Sequence, residues 1–200
     1  MNMDYLKTID YYNKNHQKFT SDTLEVPFSS IQDRFLRLLP KNALILDFGC
    51  GTGRDSRYFL QKGFRVEACD GSAEMVKIAE QVAGIPVRQM LFSELCEQER
   101  YDGIFACASI LHVPYAELPE IFRRMEQALK PGGILYVSFK YGQLEGIRNG
   151  RFFTDMDECR LEDILKEMEG LEILERWVTV DVRPGREDER WLNVLLCRKK

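Results

Sequence analysis

An apolar run that ends in three glycines occupies residues 43–53 and reads Ala43-Leu44-Ile45-Leu46-Asp47-Phe48-Gly49-Cys50-Gly51-Thr52-Gly53. The apolar part is typical of a β-strand that is buried on both faces of a parallel sheet. Glycine tolerates the tight backbone of a turn, and a helix is predicted to follow from Arg54 to about Gln61, with Gly63 as its C-terminal stop. The stretch therefore predicts a strand, a glycine turn and a helix, which together begin an α/β domain.

The remainder of the chain repeats this alternation of strands and helices. Further strands are predicted at about 64–70, 85–90, 101–106 and 134–139, and helices at about 72–82, 117–129 and 156–168. Two last strands, at about 171–181 and 191–198, have no helix between them and must pair as a hairpin through a linker in which Pro184-Gly185 is the turn signal. Residues 1–40 are expected to form a mostly helical cap, and residues 41–200 the sheet core of a single domain.

Composition narrows the functional classes. A net charge of −4 argues against an extended nucleic-acid surface, which needs a basic stripe. No apolar run is long enough to span a bilayer, and the N-terminal residues lack the pattern of a secretory signal peptide. Six cysteines without a Cys-x-x-Cys pair, and only two histidines, predict neither a metal site nor disulfides. We therefore expect a cytoplasmic protein, and the sequence makes no prediction of its oligomeric state.

The spacing of the glycines separates two cofactor classes. Dinucleotide-binding proteins have Gly-x-Gly-x-x-Gly around a pyrophosphate, whereas this chain has Gly-x-Gly-x-Gly followed by Arg54. Asp47, directly before the turn, favours a cationic or amine-bearing ligand over a pyrophosphate. Asp70 ends the second predicted strand, where its carboxylate can accept hydrogen bonds from both ribose hydroxyls of an adenosine. A structural turn combined with a surface aspartate is the alternative explanation.

Three motifs resemble those of the class I S-adenosylmethionine-dependent methyltransferases, and they occupy residues 46–56, 101–104 and 129–135. The short segments Gly-Arg-Asp-Ser, Ser-Phe-Lys-Tyr-Gly and Trp-Leu-Asn are similar to those of small bacterial members, some of which are named as tellurite-resistance-related. The resemblance implies a Rossmann-like, doubly wound sheet of seven strands in the order 3-2-1-4-5-7-6, with the last strand antiparallel. It also implies S-adenosylmethionine as the cofactor and S-adenosylhomocysteine as the product.

The resemblance further implies which residues hold the cofactor. The implied set lies in the cap, in the glycine turn and at the ends of the following strands, and comprises Tyr12, Asp47, Gly49, Cys50, Gly51, Gly53, Arg54, Asp70, Gly71, Ser72, Met75, Leu91, Phe92, Ala106, Cys107 and Ala108. The loop glycines would contact the methionine half of the cofactor, with Arg54 near the methionine carboxylate. Ser72, Met75, Leu91 and Phe92 would lie around the adenine. Ala106, Cys107 and Ala108, at the end of the fourth strand, would lie near the methionine and the sulfonium. Tyr12 would cover the cofactor as part of a lid, unless the aromatic residues of the cap only pack it onto the core.

Basic residues follow two of the predicted strands, at the edge where doubly wound sheets bind ligands. The candidate residues for binding the methyl acceptor are Lys140, Tyr141, Arg148, Arg151, Arg183 and Arg186. Because guanidinium groups match carboxylates and other oxyanions, they predict a small anionic acceptor. Pairing of these side chains with Asp181 and with the acidic residues 187–189 on a solvated surface is the alternative.

His112 follows the fourth predicted strand, from which a side chain can face the transferred methyl group. It is the candidate general base if the acceptor is a hydroxyl or a protonated nitrogen, and a structural histidine otherwise. The sequence thus predicts an S-adenosylmethionine-dependent methyltransferase that acts on a small, anionic molecule. The alternatives are a catalytically silent module that binds S-adenosylmethionine and regulates a partner, and an NAD-dependent oxidoreductase, which the glycine spacing disfavours.

Overall fold

The structure is a computed structural model that describes residues 3–183 and 185–200, so Pro184 of the predicted turn signal lies outside the described residues. The strands are β1 (Leu44–Phe48), β2 (Arg65–Asp70), β3 (Val87–Gln89), β4 (Tyr101–Ala106), β5 (Leu129–Lys140), β6 (Glu145–Arg148), β7 (Arg151–Thr154), β8 (Leu171–Val180) and β9 (Arg190–Arg198). The α-helices are α1 (Met3–Thr23), α2 (Ser29–Leu36), α3 (Arg54–Gln61), α4 (Ala73–Ala83), α5 (Leu118–Ala128) and α6 (Glu158–Leu165).

Seven of the strands form one sheet in the order β3-β2-β1-β4-β5-β9-β8. Counted along the chain within this sheet, the order is 3-2-1-4-5-7-6, which confirms the prediction. β9 is antiparallel to both β5 and β8, whereas the neighbouring pairs from β3 to β5 are parallel. The strand order reverses between β1 and β4, and ligands bind at such a switch point in doubly wound sheets.

The apolar run of β1 is continuous because helices cover both faces of the sheet. Leu46 and Phe48 are fully buried in the larger core cluster, on the same side as α5. Ile45 is fully buried in the second cluster, where it joins Phe59 and Phe105. Side chains of a strand alternate between faces, so a strand with two covered faces needs apolar residues at successive positions.

The segment after β5, for which the sequence analysis predicted no strand, contains β6 and β7, which pair as a separate two-stranded sheet. Arg148 lies opposite Arg151, and the two residues between them are Asn149 and Gly150, both with positive φ (50° and 79°). An Asn-Gly pair with positive φ at both positions is the strongest short hairpin signal. The hairpin was therefore readable from the sequence.

The predicted boundaries of α3, α4 and α5 and the start of α6 hold to within two residues, whereas α6 ends at Leu165, three residues earlier than predicted. Ser72 caps α4 as predicted, since its side chain accepts a hydrogen bond from the Met75 amide. α6 begins two residues later than predicted because Asp157 caps it by accepting from the Arg160 amide. β5 begins at Leu129, directly after α5. Residues 130–133, which were predicted to separate the helix from the strand, therefore lie within the start of the strand.

The N-terminal region consists of α1 and α2, as predicted for the helical cap. α1 contacts β7 and α4, and it therefore lies over the ends of the strands. Its backbone departs from helical geometry at Asn15, whose side-chain amide donates to the Tyr11 carbonyl at 2.8 Å. Within the described part of the chain, no helix has both the length and the apolar character needed to cross a membrane.

Candidate active site

A cavity of about 210 Å³ lies at the carboxyl ends of β1, β2, β4 and β5, with α1 over it. Most of the predicted cofactor and acceptor residues line it, namely Tyr12, Gly49, Cys50, Gly51, Arg54, Asp70, Gly71, Ser72, Phe92, Cys107, Ala108, His112, Lys140, Arg151, Arg183 and Arg186. The remaining predicted residues do not line it, namely Asp47, Gly53, Met75, Leu91, Ala106, Tyr141 and Arg148. The two groups of predicted residues thus meet in one space.

The glycine loop is shaped by a different requirement at each glycine. An added Cβ at Gly49 would lie 2.5 Å from Cβ of Ser109, so this position admits no side chain. At Gly51, whose φ is 54°, an added Cβ would meet only the Phe19 ring, at 3.6 Å. Gly49 and Cys50 donate their amides to the Cys69 carbonyl at 3.0 and 2.9 Å, which holds the loop to β2. The backbone at Gly51 is the part that a ligand in the cavity can approach.

Asp70, at the end of β2, is held by backbone donors. Its carboxylate accepts from the Gly51 amide at 2.9 Å and from the Ser72 amide at 2.8 Å. Burial raises the pKa of Asp70, although the bonds from these two amides and from Gly71 lower it in part. Each carboxylate oxygen has a further lone pair, so a pair of neighbouring hydroxyls in the cavity can donate to it.

Asp47 lies beneath the glycine loop and is only 2% exposed. Its carboxylate accepts from the Ser56 hydroxyl at 2.6 Å, which ties β1 to the first turn of α3. Burial, followed by the charge of Asp55, raises the pKa of Asp47 well above its usual value. Asp47 therefore supports the loop from below instead of lining the cavity.

Arg54 opens α3 and lines the cavity beside the glycine loop. Its Nε and Nη2 donate to the two carboxylate oxygens of Asp55, at 3.0 and 2.9 Å, and its guanidinium carbon lies 4.3 Å from the centroid of the Phe28 ring. Gln32 donates to the same carboxylate at 2.6 Å. Asp55 thus orients Arg54, whose remaining N–H groups can bind a carboxylate.

Apolar side chains line the part of the cavity next to Asp70. Tyr5 and Ile9 of α1 line the cavity together with Phe92, and the rings of Tyr5 and Phe92 have centroids 5.9 Å apart. Leu91 packs against this region, 3.6 Å from the place of a Cβ on Gly71, and Met75 is buried in α4. These side chains form an apolar compartment next to the Asp70 carboxylate.

The end of β4 turns away from the sheet through Ala108, which has a positive φ of 50°. Its amide donates to the Ser138 hydroxyl of β5 at 2.8 Å, which holds the strained position. Cys107 and Ala108 line the cavity, whereas Ala106 is fully buried in the core behind them. The predicted sulfonium region is therefore formed by small side chains and by backbone.

His112 is buried at the opposite end of the cavity and makes two hydrogen bonds. Its Nδ1 lies 2.6 Å from the Phe152 carbonyl, and its Nε2 lies 2.9 Å from the Tyr12 hydroxyl. A carbonyl only accepts, so Nδ1 carries the proton and Nε2 accepts from Tyr12. Burial, and then the charge of Arg151, lower the pKa of His112 to about 3, even though the bond to Phe152 raises it. The imidazole is therefore neutral at physiological pH.

Most of the basic side chains proposed for the acceptor have carboxylate partners. Arg183 forms a fork with Asp181, through Nε–Oδ1 at 2.9 Å and Nη2–Oδ2 at 2.5 Å. Lys140 and Arg186 both pair with Glu189. These three side chains therefore pair with neighbouring carboxylates, as the alternative in the sequence analysis has it, although they line the cavity.

Two further candidates lie outside the cavity. Arg148 pairs with Asp155, with Nη1–Oδ2 at 2.8 Å. Tyr141 donates its hydroxyl to Glu158 at 2.9 Å, and its side chain is exposed. Both side chains pair with carboxylates away from the cavity, so the structure does not bring them to the predicted acceptor site.

Arg151 differs from the other basic residues of the cavity. Among the described residues, no carboxylate pairs with it, and its Nε is buried without a hydrogen-bond partner. Its guanidinium lies among the rings of Tyr11, Tyr12 and Phe153, 4.9–5.7 Å from their centroids. An unsatisfied buried donor costs roughly 1–3 kcal/mol, so an anion in the cavity would be stabilised here.

The sequence analysis missed most of the cavity residues that α1 supplies, since only Tyr12 was proposed. The helix lines the cavity with one face, comprising Tyr5, Thr8, Ile9, Tyr12, Phe19 and Thr23. These positions recur at the three- and four-residue spacing of one helical face, a signal that was present in the sequence. The residues at the end of β8 and in the linker after it, Thr179, Val180, Asp181 and Val182, were missed as well.

Comparison with known sequences agrees with this architecture. Residues 45–133 match the family described as Methyltransferase domain. The protein YqeM of Bacillus subtilis is 33% identical over 131 residues, which cover 60% of this chain and 52% of that protein. The ubiquinone biosynthesis O-methyltransferase of Xanthomonas axonopodis pv. citri is 32% identical over 109 residues, which cover 51% of this chain and 45% of that protein. The chain spans about half the length of these relatives.

Solved structures resemble almost the whole chain. The 1,6-didemethyltoxoflavin-N1-methyltransferase of Burkholderia thailandensis, with 1,6-didemethyltoxoflavin and S-adenosylhomocysteine bound, has a TM-score of 0.76 at 21% identity, over 98% of this chain and 88% of that chain. The magnesium protoporphyrin IX methyltransferase of Synechocystis PCC 6803, with S-adenosylhomocysteine bound, has a TM-score of 0.76 at 19% identity, over 98% of this chain and all (100%) of that chain. The comparisons confirm the predicted Rossmann-like fold, and they identify a methyltransferase domain at residues 45–133.

Proposed function

We propose that this protein transfers a methyl group from S-adenosylmethionine to a small acceptor that carries an anionic group. The observation that carries the proposal is that one cavity joins the glycine loop and Asp70 to His112 and Arg151. A cofactor at the first end and an acceptor at the second would meet beside Cys107 and Ala108. Proximity and alignment of two reactants supply much of the rate in such a transfer.

The residues around the glycine loop fit S-adenosylmethionine. Asp70 would accept from the ribose hydroxyls, Arg54 would bind the methionine carboxylate, and Phe92 with Tyr5 would pack on the adenine. When bound, the cofactor supplies an electrophilic methyl group on a sulfonium. The partly apolar cavity beneath α1 would limit the access of water to that group.

Arg151 supports an anionic acceptor, since its charge is unpaired among the described residues and its Nε has no partner. A carboxylate or another oxyanion can accept two N–H bonds from one guanidinium. A small acceptor is supported by the name of one relative, a ubiquinone biosynthesis O-methyltransferase, and of one structural neighbour, a 1,6-didemethyltoxoflavin-N1-methyltransferase with 1,6-didemethyltoxoflavin bound. The likeness to tellurite-resistance-related members makes tellurite one oxyanion to include in the test.

The first test is calorimetry with S-adenosylmethionine, S-adenosylhomocysteine and NAD. We expect the first two ligands to bind and NAD not to bind, because the loop lacks the spacing that holds a pyrophosphate. An Asp70→Ala variant should bind S-adenosylhomocysteine at least roughly ten-fold more weakly, since charge-assisted bonds to the ribose are lost. Binding of NAD in preference to the other two would overturn the proposal.

The second test is formation of S-adenosylhomocysteine from a panel of hydroxy-, amino- and thiol-bearing carboxylates and of inorganic oxyanions. For an active carboxylate, Arg151→Met should raise KM by roughly ten-fold or more and leave the cofactor Kd unchanged, since a buried charge-assisted pair is lost. Arg176→Met is the control, because Arg176 pairs with Glu162 on the exposed surface of β8. Cofactor binding without turnover on any acceptor would favour the silent regulatory module instead.

A further inference from the structure

The Tyr12 hydroxyl stands between the cavity and His112. Tyr12 lines the cavity, and its oxygen lies 2.9 Å from Nε2 of His112. Because Nδ1 of His112 is committed to the Phe152 carbonyl at 2.6 Å, Nε2 has a lone pair and no proton. The Tyr12 proton therefore lies in the hydrogen bond to Nε2. A proton from the cavity can reach His112 only through this hydroxyl or by displacing its hydrogen bond to Nε2.

The oxygen of Tyr12 keeps the ability to accept. Nη1 of Arg151 donates to it at 3.3 Å, and a phenol oxygen that donates its proton has a second acceptor position. Burial raises the pKa of Tyr12, so the residue is a phenol and not a phenolate at neutral pH. A hydroxyl that donates to a neutral imidazole is a better acceptor than an isolated one, because hydrogen bonds in a chain polarise one another.

We propose that Tyr12 is a catalytic residue that takes the acceptor's proton while passing its own proton to Nε2 of His112. The inference rests on the proposed function. In the step, a lone pair of the acceptor heteroatom bonds to the methyl carbon, and the carbon–sulfur bond breaks with its electron pair on sulfur. The proton of the acceptor moves to the Tyr12 oxygen, and the Tyr12 proton moves to Nε2. His112 becomes an imidazolium that releases its proton when the products leave.

The charges around His112 explain how its imidazole, a weak base, can accept a proton during the reaction. The groups that face it are Tyr12 from α1 and Arg151 from β7, while the charge of Asp70 acts on Tyr12 from the cofactor end. Burial, and then Arg151, lower the pKa of the imidazole. An anionic acceptor that pairs with Arg151 would offset the second of these causes. The base would therefore gain strength when the substrate arrives, and it would stay neutral without it.

The relay requires α1 to be docked. Thr8 of α1 accepts from the Phe152 amide at 2.9 Å, next to the carbonyl that orients His112. Asn13, one residue after Tyr12, accepts from the Ser72 hydroxyl at 2.7 Å at the cofactor end. The helix thus connects both halves of the cavity, and the proton acceptor is assembled only when α1 covers them.

The kinetic test compares Tyr12→Phe with Tyr11→Phe, its neighbour on the same helix. With a hydroxybenzoate or another hydroxyl acceptor from the panel, Tyr12→Phe should lower kcat at neutral pH by about 10²-fold, the scale of general base catalysis. The rate of this variant should then rise with pH, about ten-fold per unit, as the acceptor ionises without help. Tyr11→Phe should keep the wild-type pH profile. Equal kcat in the two variants at all pH values would overturn the relay.

A second readout does not depend on turnover. The chain has only two histidines, so ¹⁵N-histidine labelling gives two sets of ring signals, with His16 as the internal reference. His112 should appear as the neutral tautomer protonated at Nδ1 and should stay neutral at pH 5. Tyr12→Phe should shift the Nε2 signal, and Arg151→Met should raise the pH at which His112 titrates. An Nε2 signal unchanged by Tyr12→Phe would exclude the hydrogen bond and with it the relay.

The outcomes separate this inference from the proposed function. If the wild type binds no S-adenosylmethionine, or methylates nothing in the panel, the proposed function fails and the inference fails with it. If the wild type transfers methyl groups and Tyr12→Phe does so equally well, only the relay fails. If Tyr12→Phe is slow and changes KM or cofactor Kd instead of the pH profile, Tyr12 binds ligand without moving a proton, which also overturns the relay.

Discussion

Gly53 and Gly63 have similar backbone conformations, with φ values of 77° and 84°, in different surroundings. An added Cβ at Gly53 would lie 2.9 Å from Cα of Ala79 in α4, whereas at Gly63 it would meet no described residue within 4 Å. Gly53 therefore serves two purposes, a left-handed turn and the close packing of α3 against α4. Gly63 serves only the first, as the C-terminal stop of α3.

Alanine substitutions at Gly53 and Gly63 separate the energetic cost of backbone strain from that of packing. Gly63→Ala should lower the free energy of unfolding by about 1–2 kcal/mol, the cost of a left-handed conformation for a residue with a Cβ. Gly53→Ala should cost about 1–3 kcal/mol more, since the backbone of α4 must also move away. Urea unfolding of the two variants and the wild type measures both values. Equal losses in the two variants would show that the contact with Ala79 carries no energy.

At the level of elements, α1 is the part of the molecule that connects the two halves of the site. Asn13 holds it to α4, since its Oδ1 accepts from the Ser72 hydroxyl at 2.7 Å and from the Glu74 amide at 3.3 Å. The non-helical backbone at Asn15 divides α1 just after this contact. The N-terminal part of α1 is therefore held by a few specific bonds on either side of the cavity.

Asn13→Ala removes one of these anchors. We expect faster amide hydrogen exchange in residues 5–14 and an affinity for S-adenosylhomocysteine that falls by roughly three- to ten-fold, as expected for one or two neutral hydrogen bonds. Lys14→Ala is the control, because Lys14 only pairs with Asp10 on the exposed side of the same helix. Exchange in α1 that is as slow in Asn13→Ala as in Lys14→Ala would contradict the anchoring role.

The element boundaries show what local sequence can tell. β1, the glycine turn and α3 were predicted because an apolar run, three glycines and a helix start each act over a few neighbouring positions. The β6–β7 hairpin was not predicted, although Asn149-Gly150 is a hairpin signal. The start of β5 at Leu129 could not be predicted from local signals, since pairing of Leu129 with Tyr101 extends the strand through the glycines.

For the molecule as a whole, His112 couples stability to pH. Its pKa is about 3 in the folded protein against 6.5 in the unfolded chain, so between these values the unfolded state binds a proton that the folded state does not. The stability that the neutral imidazole contributes is therefore complete above pH 6.5 and is lost as the pH falls towards 3. The limiting slope is about 1.4 kcal/mol per pH unit.

His112→Gln isolates this contribution, because glutamine does not titrate. Between pH 7 and pH 5, the free energy of unfolding of the wild type should fall by about 1–2 kcal/mol more than that of the variant. Urea unfolding at the two pH values measures the difference, and any constant cost of the substitution cancels in it. Parallel losses in the two proteins would mean that His112 is accessible to protons in the folded state.

The glycine spacing and the alternation of apolar runs were sufficient to predict an α/β domain with a glycine turn after its first strand, because they describe backbone shape and burial over short distances. The strand order, by contrast, was implied by the resemblance to a known family and is confirmed by the sheet. The acceptor end depended on distant contacts. Six basic or aromatic candidates looked equivalent in the sequence, and only their folded neighbours distinguish Arg151 from Arg183, which Asp181 pairs. The bond between Tyr12 and His112 joins positions 100 residues apart. No local pattern encodes such a contact or the burial that shifts the pKa of His112, since both arise only when α1 packs over the sheet.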